Sequence, residues 1–143
     1  MTAKDEALKI LLSKKRTAKQ ITDKLIEKGY SAEEAEEATE YFKEKGYIDE
    51  GDYARRYVHD AVLIKGHGRA RIVRDLKMRG VSDADIEEAL ENAEYNLAEK
   101  MAKKFPECAG IKEKNRIFNH FLRKGFSAGE IAEAFNEIYK QEF

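Results

Sequence analysis

Apolar residues recur along this chain at intervals of three and four, and three segments repeat one pattern. ITDKLIEKGYSAEEAEEATEYF begins at Ile21, IVRDLKMRGVSDADIEEALENA at Ile72, and IFNHFLRKGFSAGEIAEAFNEI at Ile117. Each reads apolar-x-x-x-apolar, a basic residue, glycine, an apolar residue, serine, then an acidic stretch. The glycines, Gly29, Gly80 and Gly125, lie 51 and 45 residues apart. Self-similarity at such a spacing is the mark of a repeat architecture. A helix ends naturally on a glycine in the left-handed region. Ser31, Ser82 and Ser127 follow two residues later as N-caps, with Glu34, Asp85 and Glu130 three positions on. The two glutamates complete capping boxes; Asp85 is a shorter variant. Each repeat is therefore helix, tight glycine turn, helix.

A further amphipathic segment precedes each pair. Residues 5–13 carry Ala7, Leu8, Leu11 and Leu12, and residues 52–64 carry Tyr53, Ala54, Tyr57, Val58, Ala61 and Val62. Residues 94–105 carry Tyr95, Leu97, Ala98, Met101, Ala102 and Phe105. All fit one apolar face at helical spacing. Thr17, with Gln20 three residues on, starts the second helix, and Asp49 caps the fourth. The pattern predicts an all-α chain of eight helices and no strands, arranged as tandem three-helix repeats over residues 1–48, 49–92 and 93–143. No breaker precedes the third unit, so residues 83–105 are expected to form one long helix, ended around Pro106. Such small units bury little alone, and stacking them predicts an elongated, curved body.

Charge changes the picture. The chain nets −1, yet residues 51–80 hold eight Lys/Arg against three acids, a net of +5; residues 1–50 net −2 and residues 81–143 net −4. The middle repeat is thus distinguished from its siblings by chemistry, and it predicts contact with an anionic partner. On its first helix Arg55, Arg56 and His59 lie opposite the apolar face, and Arg56 and Asp60 are spaced to pair. On its second, Arg71, Arg74 and Lys77 project away from Ile72, Val73 and Leu76. Lys65-Gly66-His67-Gly68-Arg69 joins the two as a flexible linker whose backbone N–H groups could also hold an anion.

Helix, glycine turn, helix also describes DNA-reading modules, whose second helix enters the major groove. Here the second helices carry Glu33, Glu34, Glu36, Glu37 and Glu40, or Asp83, Asp85, Glu87, Glu88 and Glu91. Phosphates would repel them, which excludes groove reading by these helices. Catalytic signatures are absent. His59, His67 and His120 show no metal-ligand spacing, and His59 and His120 fall on polar faces. Cys108 is alone, which fits a reducing cytoplasm. No nucleotide fingerprint or serine elbow occurs, so no cofactor or metal is expected. The longest aliphatic run, Ala61–Ile64, is too short to span a bilayer, and the N-terminus does not read as a signal peptide.

One stretch carries a further signal: Gly46-Tyr47-Ile48-Asp49-Glu50, Tyr53-Ala54, Tyr57-Val58, Lys65-Gly66, Arg71-Ile72, Leu76 and Arg79-Gly80-Val81. With Arg123-Lys124-Gly125-Phe126 in the last repeat, it resembles the RecX family, bacterial regulators of the RecA recombinase. The family more often has two Asp where this chain has Asp49-Glu50, and Phe in place of Tyr53. The resemblance implies tandem three-helix repeats. It also implies binding in the groove of the RecA–single-stranded-DNA filament, with filament growth, ATP hydrolysis, strand exchange and the co-protease step of the SOS response restrained. Direct contact with single-stranded DNA is weaker in that family. A RecA-independent nucleic-acid-binding module is the alternative. A cytoplasmic monomer that is not an enzyme is expected under either.

Overall fold

Most helices begin where a short polar side chain satisfies a backbone N–H; the two exceptions follow glycines, Gly68 and Gly110. The computed structural model describes residues 1–91, 93 and 96–139, and among these it contains nine α-helices and no strand. They are α1 (Ala3–Ser13), α2 (Ala18–Glu27), α3 (Ala32–Glu44), α4 (Glu50–Asp60), α5 (Arg69–Met78), α6 (Asp83–Glu91), α7 (Leu97–Lys104), α8 (Ile111–Arg123) and α9 (Ala128–Tyr139). A π-turn, Ala61–Lys65, continues α4. The expected capping boxes form at Thr17 with Gln20, Ser31 with Glu34 and Ser127 with Glu130. Asp85 is one methylene shorter, so its carboxylate accepts from the Ser82 hydroxyl at 3.1 Å. Asp49 caps α4 by accepting from the Asp52 N–H at 3.0 Å.

The ninth helix corrects the expected long one. α6 stops at Glu91, and α7 starts afresh at Leu97 on Asn96, whose side chain accepts from the Glu99 N–H at 3.0 Å. Asparagine is a strong N-cap, and it is the helix-start signal that this stretch of sequence carries. Tyr95 lies outside the described residues.

Packing divides the chain into two compact units: Met1–Tyr57 with Asp75–Glu91, and Val58–Arg74 with Asn92–Phe143. Helices α4 and α5 each contribute to both, so the packing units do not follow the repeat boundaries.

In the first unit α1, α2 and α3 bury Ala3, Ala7, Ile10, Ile21, Leu25, Ala35, Ala38 and Phe42, with Ile48 beside them. The end of α5 docks on the start of α2. There the Thr17 hydroxyl, fully buried, donates to the Arg79 carbonyl at 2.6 Å, and Lys19 Nζ donates to the Met78 carbonyl at 3.0 Å. The contact is close: a Cβ on Gly80 would lie 2.6 Å from Lys19 Cβ. Gly80 also has φ +85°, so conformation and space both demand glycine there.

The second unit is built on aromatic rings. Phe105, Phe121, Phe126 and Phe135 are buried with Leu97, Met101, Ile117, Ile131 and Ala134. Phe121 meets Phe105 and Phe126 edge-on at 6.1 and 6.0 Å. Each such side chain contributes about 1.5–3 kcal/mol by leaving water. The start of α5 packs on the end of α8. The Gly68 N–H donates to the Lys124 carbonyl at 2.7 Å, and a Cβ on Gly68 would lie 2.6 Å from the Gly125 carbonyl. The Lys65–Arg69 connection is therefore pinned to its unit by backbone contacts, where the sequence had suggested a flexible linker.

Candidate protein-contact surface

The basic residues read from the sequence divide between the two units. Arg55, Arg56 and Lys77 belong to the first. All three are exposed, and each has an acidic neighbour. Arg55 lies 3.4 Å from Glu88, Arg56 3.0 Å from Asp52, and Lys77 3.5 Å from Asp83. Arg56 pairs backwards along its helix with Asp52 and not forwards with Asp60. An acid four residues N-terminal to the base is the favoured orientation. Lys15 joins Asp52 from the other side at 2.6 Å. Its hydrogen bond, reinforced by the Arg56 charge, holds the Asp52 carboxyl below the usual carboxylate range.

Glu88 and Asp83 lie on α6, just beyond the point where the basic block was cut. Folding therefore returns acidic residues to Arg55 and Lys77 that a count along the chain had assigned to a separate flank. These exposed pairs are worth only about 0–1 kcal/mol each in stability, but they lower the positive potential of this face.

Arg79 serves the interior of the first unit. Its guanidinium donates to the Tyr53 hydroxyl at 2.7 Å and lies 4.5 Å from the Tyr57 ring centroid. Tyr57 in turn donates to Asp75 at 2.9 Å. Burial, then this hydrogen bond, push the Tyr57 phenol up. The sequence counted Arg79 as charge and missed this role; its place between the motif residues Leu76 and Gly80 was the available signal.

The remaining cations belong to the second unit. Lys65, Arg69 and Arg74 are exposed, as is His59, which lies 3.5 Å from Asp60. Arg71 and His67 depart from the expectation of an open surface. Arg71 is half-buried: its guanidinium donates to the Arg123 carbonyl at 3.5 Å, and its Cβ sits where a Cβ on Gly125 would come within 2.5 Å. A cation at the end of α8 complements the helix dipole, so Arg71 is a structural contact. His67 is only 5% exposed, carried inward by the pinned Gly68, and offers a partner no surface.

The other motif residues have local tasks. Gly46, with φ +81°, ends α3, and the exposed Tyr47 ring meets Phe42 edge-on at 5.4 Å. Ala54 is fully buried, and Gly66, with φ +68°, ends the π-turn. Burial pushes the Glu50 carboxyl up; Asp85 adds to the shift, and Lys43 opposes it. Glu50 Oε2 is buried without a hydrogen-bond partner among the described residues.

His120 also departs from its expected solvated position. It is half-buried, with its ring edge-on to Phe105 at 5.4 Å. No helix among the described residues is long and apolar enough to cross a membrane. Nor do three His, Cys, Asp or Glu side chains among them converge as metal ligands would.

The model of the first three-helix domain of RecX matches residues 3–42, and that of the second three-helix domain matches residues 49–90. Regulatory protein RecX of Halorhodospira halophila is 32% identical over 92% of this chain and 84% of its own length. Regulatory protein RecX of Vibrio vulnificus is 31% identical over 96% of this chain and 93% of its own. The crystal structure of RecX from Lactobacillus salivarius superposes with a TM-score of 0.77 at 26% identity, covering 97% of this chain and 96% of that one. A second crystal structure, of a regulatory protein RecX, gives a TM-score of 0.78 at 22% identity over 97% of this chain and 72% of that one. With both domain models matched and relatives aligned over nearly its whole length, this chain belongs to the RecX family of regulatory proteins.

Proposed function

We propose that this protein restrains the RecA recombinase by binding in the groove of the RecA–single-stranded-DNA filament. It thereby limits filament growth, ATP hydrolysis, strand exchange and the co-protease activity that triggers the SOS response. It acts as a cytoplasmic monomer of three tandem helical repeats, residues 1–48, 49–92 and 93–143. The observation that carries this reading is the exposed basic set Lys65, Arg69 and Arg74 around α5 in a chain of RecX fold. Arg55, Arg56 and Lys77 add contacts whose acidic neighbours moderate their charge. Acidic protomer surface or filament DNA would complement these cations, favouring fast, salt-sensitive association. Several modest contacts on a polymer add through effective concentration, so no single tight pocket is required.

The test is RecA ATP hydrolysis on single-stranded DNA, followed as the protein is added. Stoichiometric protein is expected to slow hydrolysis, and the R69E/R74E variant to relieve the inhibition. Arg71 is avoided because its reversal would disturb the α5–α8 contact as well as the surface. No slowing by the unmodified protein would reject the RecA reading. Unchanged inhibition by R69E/R74E would move the interface elsewhere.

A further inference from the structure

An open pocket of about 560 Å³ lies within the second unit. Lys65 reaches it from the π-turn, Lys100, Lys103 and Lys104 from α7, and Lys124 from the end of α8, with His120 beside them. No acidic side chain is among its described lining residues. Like charges brought together in this way repel, and an anion would relieve the repulsion. We propose that this pocket binds a ligand of nucleotide size carrying closely spaced phosphates.

Three features favour phosphate. Two of the amines are held by the protein itself: Lys100 Nζ donates to the Val62 carbonyl, and Lys124 Nζ donates to the Lys65 carbonyl at 3.3 Å. These are carbonyls of the π-turn, so that turn orients the amines while each ammonium keeps further N–H donors. Every lining cation apart from the histidine is lysine. Lysine meets phosphate as a compact point charge, whereas planar carboxylate recognition relies on the arginine fork, which is missing here. The third feature is an apolar wall. Leu63 and Ile64 are 66% and 77% exposed and line the pocket together with Phe121, offering a surface for a base or sugar. The volume falls within the range of about 300–1,000 Å³ common for small-ligand sites.

The electrostatics of the pocket act in the same direction. Burial pushes the Lys100 amine down. Burial first, then the charges of Lys104, Lys124, Arg123 and Arg116, push the His120 imidazole down. A bound polyphosphate would favour the charged form of both groups. The spacing Lys100-x-x-Lys103-Lys104 puts the three α7 amines on one helical face, a signal present in the sequence but hidden by the acidic total of residues 81–143.

The inference goes beyond the RecA reading and does not depend on it, because its test contains no RecA. The full chain is titrated at low salt with inorganic tripolyphosphate and with ATP by calorimetry. A fluorescein-labelled oligothymidylate is followed separately by anisotropy. The comparison is the K103E/K104E variant, both positions being exposed. The control is K43E/K45E, the same charge change in the first unit. Saturable binding is expected, weakened at least about tenfold by K103E/K104E and little changed by the control. Binding of tripolyphosphate and ATP identifies a small polyphosphate. Binding of the oligonucleotide alone overturns the proposal, because a strand carries its phosphates singly, one to each nucleotide. The proposal is overturned if none of the three binds, if K103E/K104E binds as well as the unmodified protein, or if polyglutamate competes as strongly as tripolyphosphate. Far-UV circular dichroism checks folding, and K103Q/K104Q replaces the charge reversal if that variant unfolds.

Discussion

Two glycines two residues apart, Gly66 and Gly68, make opposed demands on the fold, and replacing each with alanine separates them. At Gly68 an added Cβ would lie 2.6 Å from the Gly125 carbonyl carbon and oxygen, and 2.8 Å from the Phe126 nitrogen. Carbon atoms in ordinary contact sit about 3.5–4.0 Å apart, so backbone must retreat by roughly 1 Å. Overpacking of that kind costs about 1–3 kcal/mol. The retreat also breaks the 2.7 Å hydrogen bond from Gly68 to Lys124, for about 0.5–1.5 kcal/mol more. Against this, alanine restricts the unfolded chain and returns about 0.4–1 kcal/mol. Taking the middle of each range, the net for Gly68→Ala is a loss of about 2 kcal/mol.

At Gly66 nothing lies within 4 Å, and only φ +68° opposes a side chain. That left-handed backbone costs about 1–2 kcal/mol, less the same unfolded-state return, leaving a loss of about 1 kcal/mol. Urea unfolding followed by far-UV circular dichroism reads the difference. With a denaturant slope of about 1–3 kcal/mol per molar, Gly68→Ala should lower the midpoint about twice as far as Gly66→Ala. An equal or smaller shift for Gly68→Ala would refute the pinned-backbone account and restore a flexible connection.

Arg79→Met should cost about 1–2 kcal/mol in the same assay, since it leaves Tyr53 and Tyr57 without their shared cation. Lys28→Gln tests acid sensitivity, because the Lys28 hydrogen bond holds the Glu6 carboxyl below its ordinary value of 4.5. A depressed carboxyl contributes stability above the unfolded value and loses it as pH falls through the folded one. The variant should therefore be less stable at pH 7, with the gap closing under acid conditions where both forms are protonated. Glu50 carries the opposite sign: burial raises its carboxyl above 4.5, so stability is lost as pH rises from the unfolded value through the folded one. Glu50→Gln should raise the thermal midpoint at pH 7 and do so much less near pH 4.

The sequence by itself determined the helices, their turns and the all-α class. These depend on neighbours within one turn, such as Ser31 with Glu34, Asp49 with Asp52, and a glycine that accepts positive φ. Their energies come from local hydrogen bonds and conformational limits, so spacing alone reveals them. The single extra helix shows the same logic, because its cap, Asn96, was present but went unread.

Tertiary structure alone decided which charges matter. Arg55 and Lys77 meet Glu88 and Asp83 only after α6 folds back, and a charge count along the chain places those acids elsewhere. Arg71, Arg79 and His67 look like their exposed neighbours in sequence, yet packing turns them to structural work. Their surroundings are set by residues as distant as Arg123 and Tyr53. Lysines assigned to two different repeats, Lys65 and Lys100 among them, line one pocket because the packing units cross the repeat boundaries. The physical reason is range: a cap is specified within four residues, whereas burial and electrostatic potential depend on every residue that folding brings near.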